Sequence, residues 1–229
     1  MKRILIALIS FLLLTSLASA ATLQVGSTAK YKTIQSAVNA AKTGDTIYVA
    51  AGIYKELVKV NNKDLIFQGQ KVGNTYKYPS VYGFSFGWTD VPGEVGSGDV
   101  NGFKITRDGI DYGVVGGNTV RNNYFYNCGV TISGLSCSGN TIMNNKFSGN
   151  YNYGGVYLYE SLDNVITGNT FSKATIGLSL GDFVTCTSLT KNTFTGCKIA
   201  VQVYGGIPDY LIGNTYKNNK VNIKIVPVA

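Results

Sequence analysis

Histidine is absent from all 229 residues, and that absence excludes a good deal of chemistry. No Ser-His-Asp triad can be assembled, no imidazole can serve as general base, and no histidine-based metal site can exist. Thioethers and guanidinium groups are nearly as scarce. With the first twenty residues set aside, Met143 is the one methionine left, and Arg107 and Arg121 are the only arginines. Also missing is an apolar run long enough to span a bilayer. Ile4 to Leu17 is almost wholly apolar, but it falls short of the roughly 20 residues that a spanning helix needs.

That run reads instead as the core of an export signal. Lys2 and Arg3 precede it, and Ala18-Ser19-Ala20 follows with the small residues of a cleavage site. Residues 1–20 are therefore expected to be a signal peptide cut after Ala20, which places the protein outside the cell or on its surface. No Cys follows the cut, which argues against a lipid anchor. Residues 21–229 suffice for a single domain with a substantial core. Removing Lys2 and Arg3 with the signal takes the formal net charge from +8 to +6. A basic exported protein points to anionic partners such as an acidic polysaccharide or cell-wall polymer, although such a charge also simply aids solubility. Nothing calls for nucleic acid. Cys128, Cys137, Cys186 and Cys197 form two local pairs. Export permits disulfides, and Cys128–Cys137 with Cys186–Cys197 is the simplest of three connectivities. Four small buried hydrophobes is the other reading.

From Asn101 onward the chain repeats. Asn-Gly-Phe103, Asn-Tyr-Phe125, Asn-Lys-Phe147, Asn-Thr-Phe171, Asn-Thr-Phe194 and Asn-Thr-Tyr216 recur at intervals of 22 to 24 residues. Val120, Ile142, Ile166, Leu189 and Leu211 keep step three residues before the Asn. Asn118, Asn140, Asn164, Thr187 and Asp209 stand two residues earlier still. Columns at a near-constant period are the mark of a solenoid. Alternation is short, as in Gly-Val130-Thr-Ile132, Gly-Val156-Tyr-Leu158, Gly-Leu178-Ser-Leu180 and Ala-Val201-Gln-Val203, so each repeat is built of strands. Gly and Asn punctuate the coil where corners need positive φ. Coils rise about 4.8 Å each. Asn101, Asn123, Asn145, Asn169, Asn192 and Asn214 should then bond one to the next, with the aromatic rings stacked inside. The fold class is all-β: a right-handed parallel β-helix over residues 21–229, with regular repeats from residue 99.

Residues 31–69 read as a cap and first coil. Ile34, Ala37, Val38 and Ala41 share one face of a short helix that ends at Gly44, and strands follow at Thr46–Val49, Leu57–Val60 and Leu65–Gln68. The helix would cover an otherwise bare first coil. Residues 70–98 break the repeat. Tyr82, Phe84, Phe86 and Trp88 alternate with Gly or Ser, which suggests an irregular coil with its aromatics inward and a loop around Pro92 to Gly98. An exposed aromatic platform for sugars is the rival reading.

Tyr31-Lys-Thr-Ile-Gln-Ser-Ala-Val38, Ala41-Lys-Thr-Gly-Asp-Thr-Ile-Tyr-Val49 and Ala51-Gly-Ile-Tyr-Lys-Glu56 resemble the cap and first coil of pectin-lyase-like proteins. The Asn-x-Phe coils resemble the parallel β-helix repeats of surface proteins and of NosD-like proteins. The resemblance covers almost all of residues 21–229, and it is specific for fold far more than for activity. Polygalacturonases of this fold usually carry a histidine-containing motif, which is lacking here. The copper-binding label often attached to NosD-like proteins would have to rest on the scattered cysteines, so no copper is expected.

What remains for chemistry is carboxylates, lysines and tyrosines. Glu160 and Asp182 fall in one column on adjacent rungs, close enough for acid/base work or for holding Ca²⁺, or else they are two solvated turn residues. Lyases of this fold typically pair such acids with a basic residue, and no spacing singles one out. Arg107, Asp108 and Asp111 form a second polar cluster, with Arg107-Asp108 at a corner and Asp111 outward. Asp99 and Arg121 read as an exposed ion pair. Tyr157, Tyr159, Gln202 and Tyr204 point outward near Glu160 and Asp182, and tyrosines on a flat sheet suit sugar stacking. Three functions fit: a non-catalytic carbohydrate-binding surface module, a polysaccharide lyase or glycosidase acting on an acidic glycan, or a structural stalk. The nearly constant repeat length leaves little room for the walls of a catalytic cleft, favouring the first. The strand Val221-Asn-Ile-Lys-Ile-Val226, with no recognisable cap after it, suggests oligomerisation through the last coil.

Overall fold

A computed structural model of the chain describes residues 19–87, 96–113, 115–134, 136–149, 154–205 and 211–227. Most of the expected signal peptide, together with Trp88, Pro92 and Asp209, lies outside the described residues. The rest winds into a parallel β-solenoid. One face is an eight-stranded parallel sheet of Thr22–Val25, Thr46–Val49, Asp64–Gly69, Ser97–Asn101, Thr119–Arg121, Thr141–Met143, Asn164–Thr167 and Cys186–Thr190. The second and third faces belong to one 13-stranded sheet. Early coils cross it in single long strands, Ile53–Val60, Ser80–Phe86 and Lys104–Tyr112. Later coils divide. Tyr124–Tyr126, Lys146–Ser148, Thr170–Ser172, Thr193–Thr195 and Thr215–Lys217 stack on the second face, and Val130–Ser133, Val156–Tyr159, Ile176–Leu180, Ile199–Tyr204 and Val221–Val226 on the third. Parallel crossovers of L-residues take the right-handed sense expected from the sequence. No helix among the described residues is long and apolar enough to cross a membrane.

The ladder forms as the column predicts from Asn123 onward. Asn123, Asn145, Asn169 and Asn192 each donate a backbone N–H and a side-chain N–H to the Oδ1 of the next Asn, ending at Asn214. The second side-chain N–H goes to a main-chain carbonyl of the preceding coil, as from Asn169 to Ile142. No amide in the run is left wanting, which is the condition for burying it. Inside, Phe125, Phe147, Phe171 and Phe194 stack with centroids 4.6, 4.8 and 4.7 Å apart and planes within 10°. The rings thus follow the rise of the backbone. Each buries an aromatic side chain, roughly 2–3 kcal/mol of hydrophobic stabilisation.

The first step of the repeat differs from the expected one. Val120 pairs with Val100 and Phe125 with Ile105, a step of 20 rather than 22. Phe103, not Asn101, therefore occupies the rung before Asn123, and its backbone N–H donates to Asn123 Oδ1. Asn101 sits in a separate short row, donating to Gln68 Oε1 and accepting from Asn122. The same shift separates Asp99 from Arg121. Arg121 lies opposite Asn101, while Asp99 accepts the backbone N–H of Thr119 at 2.8 Å. A second amide row, Asn118–Asn140–Asn164, runs beside the first. A bulge after Asn164 then brings Cys186 into its register in place of Thr187.

Two kinds of corner residue separate clearly. Positive φ falls on Asn122, Asn144, Gly168, Lys191 and Gly213, each just before a ladder Asn, and on Asn127, Gly149, Lys173, Gly196 and Asn218 at the next corner. The glycines that open the third face have another purpose. Gly83, Gly109, Gly129, Gly155 and Gly177 form one column, and in each a Cβ would lie 2.4–2.9 Å from a carbonyl oxygen of the next coil. Only Gly109 among these five has positive φ. The column exists because the coils pass too close for a side chain.

The N-terminal end is capped as expected, with one added strand. Ile34–Ala40 is the helix, and Ile34, Ala37 and Val38 are buried. Glu56 holds its first turn, each carboxylate oxygen accepting one backbone N–H, from Ile34 and Gln35. Gln35 bonds both ways with the main chain of Lys59, standing in for a missing strand neighbour. Thr22–Val25, not anticipated, pairs with Thr46–Val49 to begin the first face. In the irregular segment Phe84 and Phe86 do point inward, whereas Tyr82 faces out beneath the Arg107 guanidinium, 4.0 Å from its ring centroid. Lys71–Val72 and Thr75–Tyr76 add a small antiparallel hairpin, and Ser97 and Gly98 are strand rather than loop. Of the two readings of the cysteines, the structure takes the second, four small buried hydrophobes. All four cysteines are free and buried, because the coil carries them to separate corners. Cys128 and Cys197 share a column several rungs apart, while Cys137 and Cys186 belong to others.

Candidate ligand-binding face

The third face carries the sequence-predicted tyrosines, and strand alternation dictates which way they point. Val156, Leu158, Leu178, Leu180, Val201 and Val203 are buried in the core, so the residues between them face outward. The pairings assemble two outward columns. Asp111, Thr131, Tyr157, Ser179 and Gln202 form one. Tyr159, Gly181 and Tyr204 form the other, one rung apart each in continuation of the same register. The four predicted ligand residues thus fall on two rungs of one face, Tyr157 and Tyr159 on one and Gln202 and Tyr204 on the next but one, with Ser179 and Gly181 between.

Gly181 is what the sequence did not single out. Its backbone N–H donates to Leu158 O, and a Cβ there would lie 3.0 Å from Tyr159 Cδ2. The Tyr159 ring therefore leans over the glycine toward Tyr204, whose rung lies about 10 Å away. Tyr204 is 36% exposed, and Gln202, though on the outer side, is only 8% exposed. Gln202 Nε2 donates to the Tyr204 hydroxyl at 3.1 Å, fixing that ring from below. The tyrosine row was legible from alternation. The glycine between them would have been found by reading the second outward position of Gly-Leu178-Ser-Leu180-Gly181 as part of the face.

Glu160 and Asp182 border this surface on adjacent rungs, the Glu160 N–H donating to Asp182 O at 2.9 Å. Glu160 sits at a corner with φ 48°. The Tyr159 hydroxyl hydrogen-bonds its carboxylate, and that bond, with the negative charges of Glu160 and Asp182, pushes the phenol above its ordinary pKa. Among the described residues, no third Asp, Glu or Cys joins the two into a metal-binding group. Asp111 points outward as expected but is largely covered. Burial raises its carboxyl above the usual range, a hydrogen bond with Thr131 works the other way, and the Asp108 charge raises it further. Arg107 and Asp108 form a two-pronged ion pair at the bend, with both bonds 2.9 Å long. Arg107 is 59% exposed, so the pair is a surface feature and is not directed at the tyrosines. A cavity of about 490 Å³ lies elsewhere, at the N-terminal end between Ala21, Tyr31, Ala40 and Asp45.

A solenoid of this repeat length, with paired Asn rows, can be set against known proteins. Residues 38–228 match the family model described as periplasmic copper-binding protein (NosD). The chain belongs to the NosD family. Searches of curated proteins and of solved structures gave no match. The copper in the family's description does not fit the residues of this NosD-family chain. Copper sites draw on Cys, Met and His, and His is absent. The thiols lie in different columns or several rungs apart in one, and are spent inward, with Cys128 and Cys137 each donating to a main-chain carbonyl at 3.3 Å. Burial pushes Cys128 and Cys186 up to about 12 and Cys137 up to about 11, which opposes the thiolate a metal requires.

Proposed function

We propose that this NosD-family protein is exported and binds carbohydrate on the outer side of its third face, without catalysis. The observation that carries the reading is the Tyr159–Gly181–Tyr204 column, where one ring lies over a glycine and the other is held by Gln202. A ring lying along a sheet offers its face to the C–H groups of a sugar. Tyr157, on the same strand as Tyr159, adds a second ring to this surface, and the nearly buried Gln202 positions Tyr204. The excess of lysine over acid favours an acidic glycan. The apolar segment Ile4 to Leu17 and the small residues 18–20 support export, as does the periplasmic description of the family.

A glycan array read together with assays for unsaturated products and new reducing ends separates binding from turnover. The reading expects retention of acidic oligosaccharides with no product. Product release would make Glu160 and Asp182 the first residues to replace, in favour of a lyase or glycosidase. No retention of any glycan would leave a structural stalk.

A further inference from the structure

We propose that Asp45 is the receptor for the α-ammonium group freed when the chain is cut between Ala20 and Ala21, so that export processing itself locks the first strand of the solenoid. The proposal rests on the export half of the reading above and not on its saccharide half.

The Ala21 backbone nitrogen donates to Asp45 Oδ1 at 2.7 Å, and Oδ2 accepts from the Lys42 N–H at 2.8 Å. Asp45 is 7% exposed, and a carboxylate so covered needs its partners. Ala21 is fixed from its other side as well, its carbonyl accepting the Thr46 N–H at 2.8 Å just before the Thr22–Thr46 pairing. Every one of these contacts lies at or after residue 21. The nitrogen would therefore stay in place when residues 1–20 leave. Gly44, with φ +89°, makes the tight Lys42–Asp45 turn that aims the carboxylate at it, closed by the Asp45 N–H on Lys42 O. Ser19 and Ala20 line the neighbouring cavity, and their departure leaves room around the new terminus.

The cut is a hydrolysis by a leader peptidase. One water is consumed and the Ala20–Ala21 C–N bond breaks. The Ala20 carbon keeps the hydroxyl oxygen as a carboxylate, and the Ala21 nitrogen takes the proton to become an amine, protonated at neutral pH. One neutral N–H donor becomes a cation with three, facing an anion. Backbone hydrogen bonds from Lys42 and Ala21 already hold the Asp45 carboxyl below its usual range, with the Lys42 and Lys63 charges helping. Those two lysines and Tyr31, which lines the cavity, are the other titratable groups facing it. An amine beside this carboxylate has its pKa raised above the ordinary value of about 8. The stabilisation is then complete below about pH 7.7 and is lost as pH rises through the raised value.

The test exports the full chain, identifies the terminus by intact mass, and compares melting of the form starting at Ala21 with a form that retains Ala20. The proposal expects Ala21 as the terminus and a melting temperature several degrees lower for the longer form at pH 7. The gap should close above pH 10, and Asp45→Asn should abolish it. A terminus elsewhere overturns the proposal at the processing step. A terminus at Ala21 with equal melting temperatures overturns the ion pair while leaving export standing. Should Asp45→Asn not fold, the two wild-type forms and their pH dependence still decide.

Discussion

The coils from Thr119 to Lys217 and those from Thr46 to Tyr112 share a fold but are held together differently. In the later coils an Asn row runs through one corner, phenyl rings stack face to face, and each coil breaks its strand at a positive-φ residue. In the earlier coils one bent strand crosses two faces, with register shifts at Tyr54/Leu57 and Val81/Gly83. There Phe84 meets Phe67 and Phe103 at 58° and 80°, and Asn101 has only a short row. The difference teaches that exact repetition is one way to satisfy a stack of parallel coils and local invention is another. Where the repeat lapses, Glu56, Gln35 and Asp45 supply by side chain what the ladder supplies by recurrence.

The glycine column runs through both regions, so it should be equally intolerant in each. Gly83→Ala and Gly129→Ala both place a Cβ 2.4 Å from a carbonyl oxygen and should cost about 3 kcal/mol or more in urea unfolding. A Gly83 variant that unfolds like wild type would mean the early coils can spread where the later ones cannot. The Asn rows should part the two regions. Asn169→Ala orphans several buried partners and should cost about 2 kcal/mol, whereas Asn101→Ala should cost about 1 kcal/mol. Equal losses would erase the distinction.

Most of this architecture was legible in the chain. The period exposed the ladder from Asn123 to Asn214 because each of those positions repeats both the Asn and the aromatic two residues on. The same rule misplaced Asn101, because Asn-Gly-Phe103 imitates the motif while the coil is two residues shorter and the core, through Val100 and Ile105, sets the register. Thr22–Val25 was missed since four residues without a repeat partner carry no periodic signal. The cysteines stayed undecided in the chain because closeness along it says nothing about which corner a residue reaches. The outward tyrosines followed from alternation alone. Their glycine neighbour needed the register, and the coverage of Gln202 and Asp111 needed the folded structure.

Smaller effects concern the face itself. Asp111 has a raised pKa, so the stability it contributes is present below the ordinary value of about 3.9 and is lost as pH rises through the raised one. Asp111→Asn should therefore raise the melting temperature at pH 7, by no more than about 1 kcal/mol of stability given its partial exposure, and leave it unchanged at pH 3. A loss at pH 7 would mean the charge is used. Calcium should do least. Glu160 and Asp182 offer two carboxylates where Ca²⁺ takes about 6–8 oxygens, so millimolar calcium should shift melting by less than about 1 °C. A rise of several degrees that vanishes in Glu160→Gln/Asp182→Asn would establish a calcium site.

The most direct test is calorimetric titration of the best acidic oligosaccharide into wild type and into Tyr157→Ala/Tyr159→Ala. Both side chains point away from the core, so circular dichroism should be unchanged. Losing two stacking rings should weaken binding at least tenfold, about 1.4 kcal/mol. Undiminished affinity in a folded variant would contradict the tyrosine face.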